Sequence, residues 1–228
     1  MMKKMKLIEL VLLLAGCFQL VTWSSAQAVE YIQMDIEDLR AEVKKLNIGF
    51  GDYKLSHKLT DAQKVISQKN PVRGKSYKGT YKFRDQDINI VVEKETDLIL
   101  ALFVENDNAT KKQFRELIST LMMEFEEPTT MAHDQLIYWA YNGDGLIGQE
   151  LYDAMRKENE LNILATVKFS SKVHISDMTR KEKDKKTVDT EEKASEKADN
   201  AAKEEQKNSI YCIVSSPPLL SRYIAEHK

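Results

Sequence analysis

The chain has 228 residues, with 34 Lys and Arg against 36 Asp and Glu, and 42% of its residues are hydrophobic. This length and hydrophobic share permit a folded core and exclude a wholly disordered chain. Two cysteines exclude a disulfide-rich scaffold and a four-cysteine zinc site. A formal net charge of -2 gives no general attraction to nucleic acid, so we expect no nucleic-acid partner.

The first 28 residues have the three parts of an export signal in the usual order. Three lysines precede an apolar stretch at residues 10–21, and Ala26 and Ala28 occupy the two positions that a signal peptidase reads. The favoured prediction is a signal peptide over residues 1–28, cleaved after Ala28. The mature protein is then periplasmic or extracellular, with the lysine-rich signal typical of bacteria.

Two other interpretations of this segment remain open. Residues 14–17 read Leu-Ala-Gly-Cys and resemble the lipobox of bacterial lipoproteins, in which Cys17 would carry the lipid. An uncleaved anchor over residues 7–23 would be at the short limit for a membrane-spanning helix. In each case the bulk of the protein lies outside the cytoplasm, and membrane attachment depends on Cys17 lipid or on an uncleaved signal.

Removal of the signal leaves Cys212 without a second cysteine in the mature chain. Cys212 lies in a strand-like apolar run with no charged neighbour to stabilise a thiolate. It is predicted to be a small buried hydrophobe and not a reactive thiol.

The first predicted element of the mature chain is an amphipathic helix over residues 31–46, within an N-terminal segment and connector at residues 29–58. Its apolar residues recur at spacings of three and four, which places them on one face: Ile32, Ile36, Leu39, Val43 and Leu46. That face can pack on its own domain or form a dimer with a second copy. A shorter helix is expected after Thr60, since Thr60 and Gln63 have the spacing of a capping box.

Strands dominate the next region. Apolar residues alternate over residues 77–83 and 88–92, which is typical of strands with one wet face. Residues 98–104 are apolar on both faces and predict a central strand, joined to its predecessor as an antiparallel hairpin.

Helices and strands alternate through the remainder. Thr110 and Gln113 repeat the capping spacing and begin a helix that Pro128 follows. A strand over residues 135–141, a helix over 148–157 and a strand over 161–169 come next, and a strand containing Cys212 leads into a helix capped by Ser216. This order predicts an α+β domain with a mainly antiparallel sheet and helices packed on it.

A charged stretch interrupts the fold near the C-terminus. Residues 180–207 hold nine basic and nine acidic residues and no aromatic residue. They cannot bury enough apolar surface to offset the entropy of ordering, so a disordered insertion is predicted at residues 177–208. Residues 209–228 are too few to fold alone and are expected to complete the domain at residues 59–176.

The candidate sites are weak. Asn142, Asp144 and Glu150 resemble part of an EF-hand loop, but the first carboxylate and the bidentate glutamate are out of place, so no useful calcium site is expected. His133 and Asp134 place a base beside a carboxylate, and a hydrolase or metal-dependent enzyme built around them is the competing function. No catalytic residue, cofactor or metal is otherwise indicated by the motifs.

Large rings occupy both faces of the strand at residues 135–141. Tyr138, Trp139 and Tyr141 therefore combine core packing on one face with a surface that could contact a protein or glycan on the other.

The segment from the helix at residue 110 through Glu127, Pro128 and Thr129 to the Trp139 strand resembles the small helix-plus-sheet modules of envelope-assembly lipoproteins and β-lactamase-inhibitor-like proteins. The resemblance covers about fifty residues and implies a fold only. Taken with the export signal, the sequence favours a non-enzymatic protein that binds another protein or a cell-envelope component.

Overall fold

The computed structural model describes residues 30–74, 76–179 and 208–227. The predicted signal at residues 1–28, the lipidation candidate Cys17 and residues 180–207 lie outside the described residues. The strands are β1 (Gly49–Phe50), β2 (Tyr53–Lys54), β3 (Thr80–Asp85), β4 (Ile88–Glu93), β5 (Ile99–Ala109), β6 (Thr130–Ala132), β7 (Leu136–Asn142), β8 (Gly145–Leu146), β9 (Ala165–Ser171) and β10 (Asn208–Ser215).

The helices are α1 (Glu30–Gln33), α2 (Ile36–Lys45), α3 (Asp61–Lys69), α4 (Lys111–Phe125), α5 (Gln149–Lys157), α6 (Ile175–Thr179) and α7 (Pro217–Glu226). Within the described residues, no helix is both long enough and apolar enough to cross a bilayer.

An eight-stranded antiparallel sheet organises the chain. Its order is β3-β4-β5-β10-β9-β7-β6, and β8 continues along the free edge of β7. The last strand in sequence, β10, lies between β5 and β9 near the middle of the sheet. The predicted α+β class, with a mainly antiparallel sheet and helices packed on it, is confirmed.

One row of paired residues crosses six strands and forms the centre of the core. Each pair is directly opposite in the register, so the side chains share one face of the sheet. All are fully buried: Phe83, Ile90, Leu102, Val214, Val167 and Trp139. α4 covers this face through edge-to-face contacts of Phe114 on Phe169 and a tilted contact of Phe125 on Trp139.

The predicted helix over residues 31–46 is two helices. Asp35 is extended, at φ -67° and ψ 166°, and its carboxylate accepts a hydrogen bond from Asp38 N, which ends α1 and begins α2. Leu39 and Val43 are fully buried in the chain's own core, so the helix packs on its own domain through these two side chains.

Residues 47–58, predicted as a connector, belong to the core. β1 and β2 form a small hairpin. Apolar side chains in and beside this hairpin belong to the same buried core as those of α2 and the sheet: Ile48, Phe50, Tyr53 and Leu55. The boundary predicted between residues 176 and 177 falls inside α6. Short β pairings and one-turn helices have too little periodicity to be found in a sequence.

Three predicted helix starts are confirmed. Thr60 and Thr110 each take part in a complete capping box, with Gln63 and Gln113 respectively. Ser216 caps α7, whose first residue is Pro217. The strand predicted to be central corresponds to β5, which pairs with β4 on one side and with β10 on the other.

Candidate functional site

A groove crosses the sheet face that α4 does not cover, and we call it the open-face groove. Its volume is about 490 Å³, within the range of small-molecule sites. It is lined by strands β3, β4, β5 and β10, by the loop before β3 and by α7. The lining residues are Ser76, Tyr77, Thr80, Lys82, Val91, Leu100, Ala101, Phe103, Tyr211, Ile213, Leu220, Tyr223 and Ile224.

Strand alternation explains why apolar side chains reach this face. A second register row lies one residue along from the core row and points to the opposite side of the sheet. It runs through Arg84, Asn89, Phe103, Ile213, Lys168 and Tyr138. Its centre, Phe103 and Ile213, forms part of the groove floor, and the Phe103 ring lies 5.9 Å from that of Tyr211.

A β-bulge between β4 and β5 adds a further side chain to the floor. Val91 pairs with Ala101 and Val92 with Ile99, so Leu100 is the extra residue. Leu100 lines the groove and stands apart from the main core cluster, although only 1% of it is exposed. The bulge therefore places an aliphatic side chain where α7 meets the sheet.

Helix α7 is held firmly as one wall. Ser216 Oγ donates to Leu164 O at 2.6 Å and accepts from Leu219 N, which fixes the start of the helix. Near its end, Tyr223 Oη donates to Lys78 O at 3.3 Å. Gly79, at φ +75°, permits this approach, because a Cβ there would lie 2.5 Å from Tyr223 Oη.

The mouth of the groove exposes two phenol rings. Tyr77 is 59% exposed and Tyr211 is 37% exposed. Burial, with a smaller contribution from the Glu105 carboxylate, raises the pKa of Tyr211, so this ring is a neutral hydrogen-bonding group at physiological pH.

Charge on the groove is sparse and positive. Lys82 is the sole Lys, Arg, Asp or Glu among the described residues that line it. Arg84 and Lys168 lie further along the second register row on the same face, where Arg84 pairs with Asp87 at 3.4 Å. Glu105 lies on this face opposite Tyr211, so the charge around the groove is mixed.

The predicted aromatic surface on β7 is corrected by burial. Trp139 is fully buried against Phe125 and donates from Nε1 to Glu126 O at 3.1 Å, and Tyr141 is 7% exposed. Neither ring is available to a macromolecular partner. Tyr138 faces the other side, where its ring meets Tyr152 of α5 at 6.1 Å, and burial raises its pKa to about 12. α5 therefore covers part of the Tyr138 ring, which stays partly exposed.

His133 and Asp134 form a turn between β6 and β7, both with positive φ. Asp134 accepts from Ser176 N at 3.1 Å and from Ser176 Oγ, and its Oδ2 lies 3.6 Å from His174 Nδ1. The Asp134 carboxylate thus accepts hydrogen bonds from both donors of Ser176, near the start of α6. Asp134 therefore anchors α6 to the sheet.

The residues of the EF-hand-like loop are used in a tight turn. Asn142 Oδ1 accepts from Asp144 N at 3.0 Å, and Gly143 N donates to Tyr31 Oη at 2.6 Å. Glu150 lies in the first turn of α5. Among the described residues, no group of three or more His, Cys, Asp or Glu is arranged to hold a metal ion.

Cys212 is fully buried in β10, as predicted for a small hydrophobe. Burial raises the pKa of its thiol well above the ordinary range, so almost no thiolate is present at neutral pH.

Sequence reasoning missed the groove. Leu100 and Phe103 lie in the stretch predicted to be a central strand, and residues 209–228 were expected only to complete the domain. One signal in the sequence could have indicated it. Both β5 and β10 carry apolar residues on both faces, and the predicted helices are too few to cover all of that apolar surface.

Comparison of the chain with protein-family models, with curated proteins and with solved structures finds no match.

Proposed function

We propose that the mature chain is an exported, non-enzymatic binding protein of the cell envelope whose ligand lies in the open-face groove. The observation that carries the proposal is the groove itself, an apolar cleft on a sheet face, bounded by a helix that is fixed at both ends. Export is an expectation from the first 28 residues of the sequence.

A binding role is supported by the chemistry of the lining. Among the described residues that line the groove, none is a carboxylate, an imidazole or a thiol. The polar groups are hydroxyls and one ammonium, which can orient a ligand through hydrogen bonds. Hydrocarbon and aromatic surface supplies the remainder of the lining.

The ligand class we propose is an envelope amphiphile with one long apolar chain and one anionic group. The apolar floor formed by Leu100, Phe103 and Ile213 suits the chain. Lys82 in the groove, with Arg84 and Lys168 on the same face, suits the negative group. The volume of about 490 Å³ accommodates a molecule of drug size.

One other occupant fits less well. Residues 180–207 of this chain contain Val188 as their sole branched aliphatic residue and have no ring to fill the cleft.

Fluorescence titration with cis-parinaric acid, followed by displacement with palmitate, tests the groove. We expect saturable binding that Tyr211→Ser and Ile224→Asn each weaken at least about tenfold, which corresponds to about 1.4 kcal/mol. Met123→Asn and Leu151→Asn are matched controls, because both side chains are exposed and lie outside the groove. Equal effects of groove and control variants would contradict the proposal.

A second pair of measurements tests the anionic group and the alternative partner class. Hexadecanol should displace parinaric acid at a higher concentration than palmitate does. The Lys82→Gln variant should reduce the difference between these two displacing concentrations. Photo-cross-linking from position 77 in the native envelope, read by mass spectrometry, should recover lipid. Recovery of one protein in place of lipid would overturn the amphiphile assignment.

Mass spectrometry of the native protein tests export. A mature chain that starts at Val29 supports soluble export, and a diacyl or triacyl group on Cys17 supports the lipoprotein alternative. An intact Met1 in the cytosol would contradict both.

A further inference from the structure

A second cavity lies beside the start of α7. Its volume is about 420 Å³. The residues that line it come from α1, from the stretch before β9 and from α7: Tyr31, Leu161, Asn162, Ile163, Pro217, Pro218, Ser221 and Arg222. It shares no lining residue with the open-face groove, and we call it the α7-start pocket.

Hydrogen bonds hold the walls of the α7-start pocket in place. Ser216 Oγ donates to Leu164 O at 2.6 Å, which joins the start of α7 to the stretch at residues 161–163. Tyr31 Oη accepts from Gly143 N at 2.6 Å, which fixes the position of the Tyr31 ring. The walls are therefore in place before a ligand enters, as they are in most small-molecule sites.

Arg222 gives the α7-start pocket one positive charge that no carboxylate balances. Its Nη2 donates to Met34 O at 2.6 Å, and it forms no ion pair with any residue that the structure describes. Arg40, by contrast, pairs with both Glu93 and Glu37. The described residues that line the pocket include no Asp or Glu.

The guanidinium of Arg222 also has a donor without a partner. Its Nε is buried and makes no hydrogen bond. Arg40 Nε and Ser56 Oγ are the other two such side-chain atoms in the described part of the chain, and neither residue lines this pocket. Buried polar groups without partners are uncommon in native proteins, and guanidinium donors bind carboxylates strongly. An unpartnered donor and a cavity at the same side chain point to an anionic ligand.

The backbone at the start of α7 supplies no competing donor. Pro217 and Pro218 have no backbone N–H. Leu219 N donates to Ser216 Oγ, and Leu220 N donates to Ser216 O. Recognition of an anion in this pocket therefore depends on the Arg222 side chain and not on the end of the helix.

We propose that the α7-start pocket binds a small monocarboxylate that carries an apolar ring. The carboxylate accepts hydrogen bonds from the Arg222 guanidinium, and its one negative charge balances the one positive charge of the lining. A phosphate monoester would bring a second negative charge that this lining does not balance. The ring of the ligand lies against the apolar part of the lining: Tyr31, Leu161, Ile163, Pro217 and Pro218.

Equilibrium dialysis of the full chain against 1-naphthylacetate, read by naphthyl fluorescence, tests the proposal. We expect saturable binding that weakens as ionic strength rises. The neutral match 1-naphthylacetamide and the dianionic match 1-naphthyl phosphate should each bind at least about tenfold more weakly than 1-naphthylacetate.

Variants of Arg222 test the contact that carries the proposal. Arg222→Gln should weaken the binding of 1-naphthylacetate at least about tenfold, and Arg222→Lys, which keeps the charge but loses the planar fork, should weaken it by a smaller factor. Arg156→Gln is the matched control, because the Arg156 side chain is 65% exposed and lies outside the pocket.

Leu161→Asn tests the apolar wall without changing the hydrogen bond from Arg222 to Met34. Leu161 is 37% exposed and lines the pocket, whereas Leu151 is 52% exposed and does not line it. Leu161→Asn should therefore weaken the binding of 1-naphthylacetate, and Leu151→Asn should leave it unchanged.

The outcomes decide the site separately from the open-face groove. Tyr211→Ser should leave 1-naphthylacetate binding unchanged, and Arg222→Gln should leave palmitate binding unchanged. Equal binding of 1-naphthylacetamide and 1-naphthylacetate, or equal losses from Arg222→Gln and Arg156→Gln, would overturn the proposal. So would tighter binding of 1-naphthyl phosphate, or no saturable binding of 1-naphthylacetate to a chain that shows one cooperative thermal unfolding transition.

Discussion

Arg40 of α2 donates from Nη2 to Glu93 Oε1 of β4 at 2.7 Å, although 53 positions separate the two residues. The side chains are 12% and 5% exposed, so this ion pair is almost out of water. Glu93 also accepts from Thr96 Oγ1, and a second guanidinium nitrogen of Arg40 contacts Glu37. The pair joins the N-terminal segment to the edge half of the sheet.

Breaking this pair from one side should be costly. Arg40→Met leaves the Glu93 carboxylate buried without a cation, and we expect a loss of about 3–5 kcal/mol in the free energy of unfolding. Urea denaturation followed by circular dichroism measures it. Glu37→Gln is the control, because the Glu37 side chain is 75% exposed and its ion pair should contribute less than about 1 kcal/mol.

The double variant Arg40→Met with Glu93→Leu tests whether the fold requires the ion pair itself. The alternative is that the fold requires only that no unpaired charge is buried there. Replacement of both partners by apolar groups often restores most of the stability that one replacement removes. A double variant that is less stable than either single variant would show that the two residues act independently.

The capping box of α4 is a second point where one side chain determines a boundary. Thr110 Oγ1 accepts from Gln113 N at 3.2 Å, and Gln113 Oε1 accepts from Thr110 N at 2.9 Å. Thr110→Ala should lower the free energy of unfolding by about 1 kcal/mol, and Thr110→Ser should retain most of it, since serine caps equally well. An alanine variant as stable as the parent in thermal unfolding would contradict this role.

Local signals explain which parts of the fold could be predicted. Capping residues at Thr60, Thr110 and Ser216 and alternation in β4 act over a few residues and are visible in the sequence. The break at Asp35 was missed because an unbroken apolar stripe outweighed a capping aspartate. The hairpin β1–β2 is two residues on each side, too short for a period to appear.

The candidate site could not be predicted because it depends on register. The open-face groove exists because Ile213 lies opposite Phe103 while 110 positions away in sequence, and because Leu100 is displaced by a bulge. This pairing leaves no local pattern in the sequence, so the residues that form the groove floor could not be singled out.

Cys212 should be unreactive until the chain unfolds. In a chain with Cys17→Ser, we expect 5,5′-dithiobis(2-nitrobenzoate) at pH 8 to leave the folded protein unmodified, because burial raises the thiol pKa and blocks access. In 6 M guanidinium chloride about one thiol per chain should react at once. Rapid labelling of the folded protein would show that β10 opens locally.

The C-terminal strand gives the sharpest test of the architecture. β10 lies between β5 and β9, and two of its buried residues, Cys212 and Val214, are part of the core. Truncation before Ser209 therefore removes a central strand and α7 together, and should prevent cooperative folding.

Residues 180–207 should behave in the opposite way. Their balanced charges and lack of aromatic residues contribute no apolar face, so replacing them by a Gly/Ser linker of about 12 residues should change the free energy of unfolding by no more than about 1 kcal/mol. Limited trypsin digestion is the companion measurement, because this stretch holds nine basic residues. The nicked fragments should remain associated through β5, β10 and β9 on size-exclusion chromatography. If the C-terminal fragment dissociates and the larger fragment keeps its circular dichroism spectrum and unfolding transition, then β10 is not needed for the fold, and the central position of this strand is contradicted.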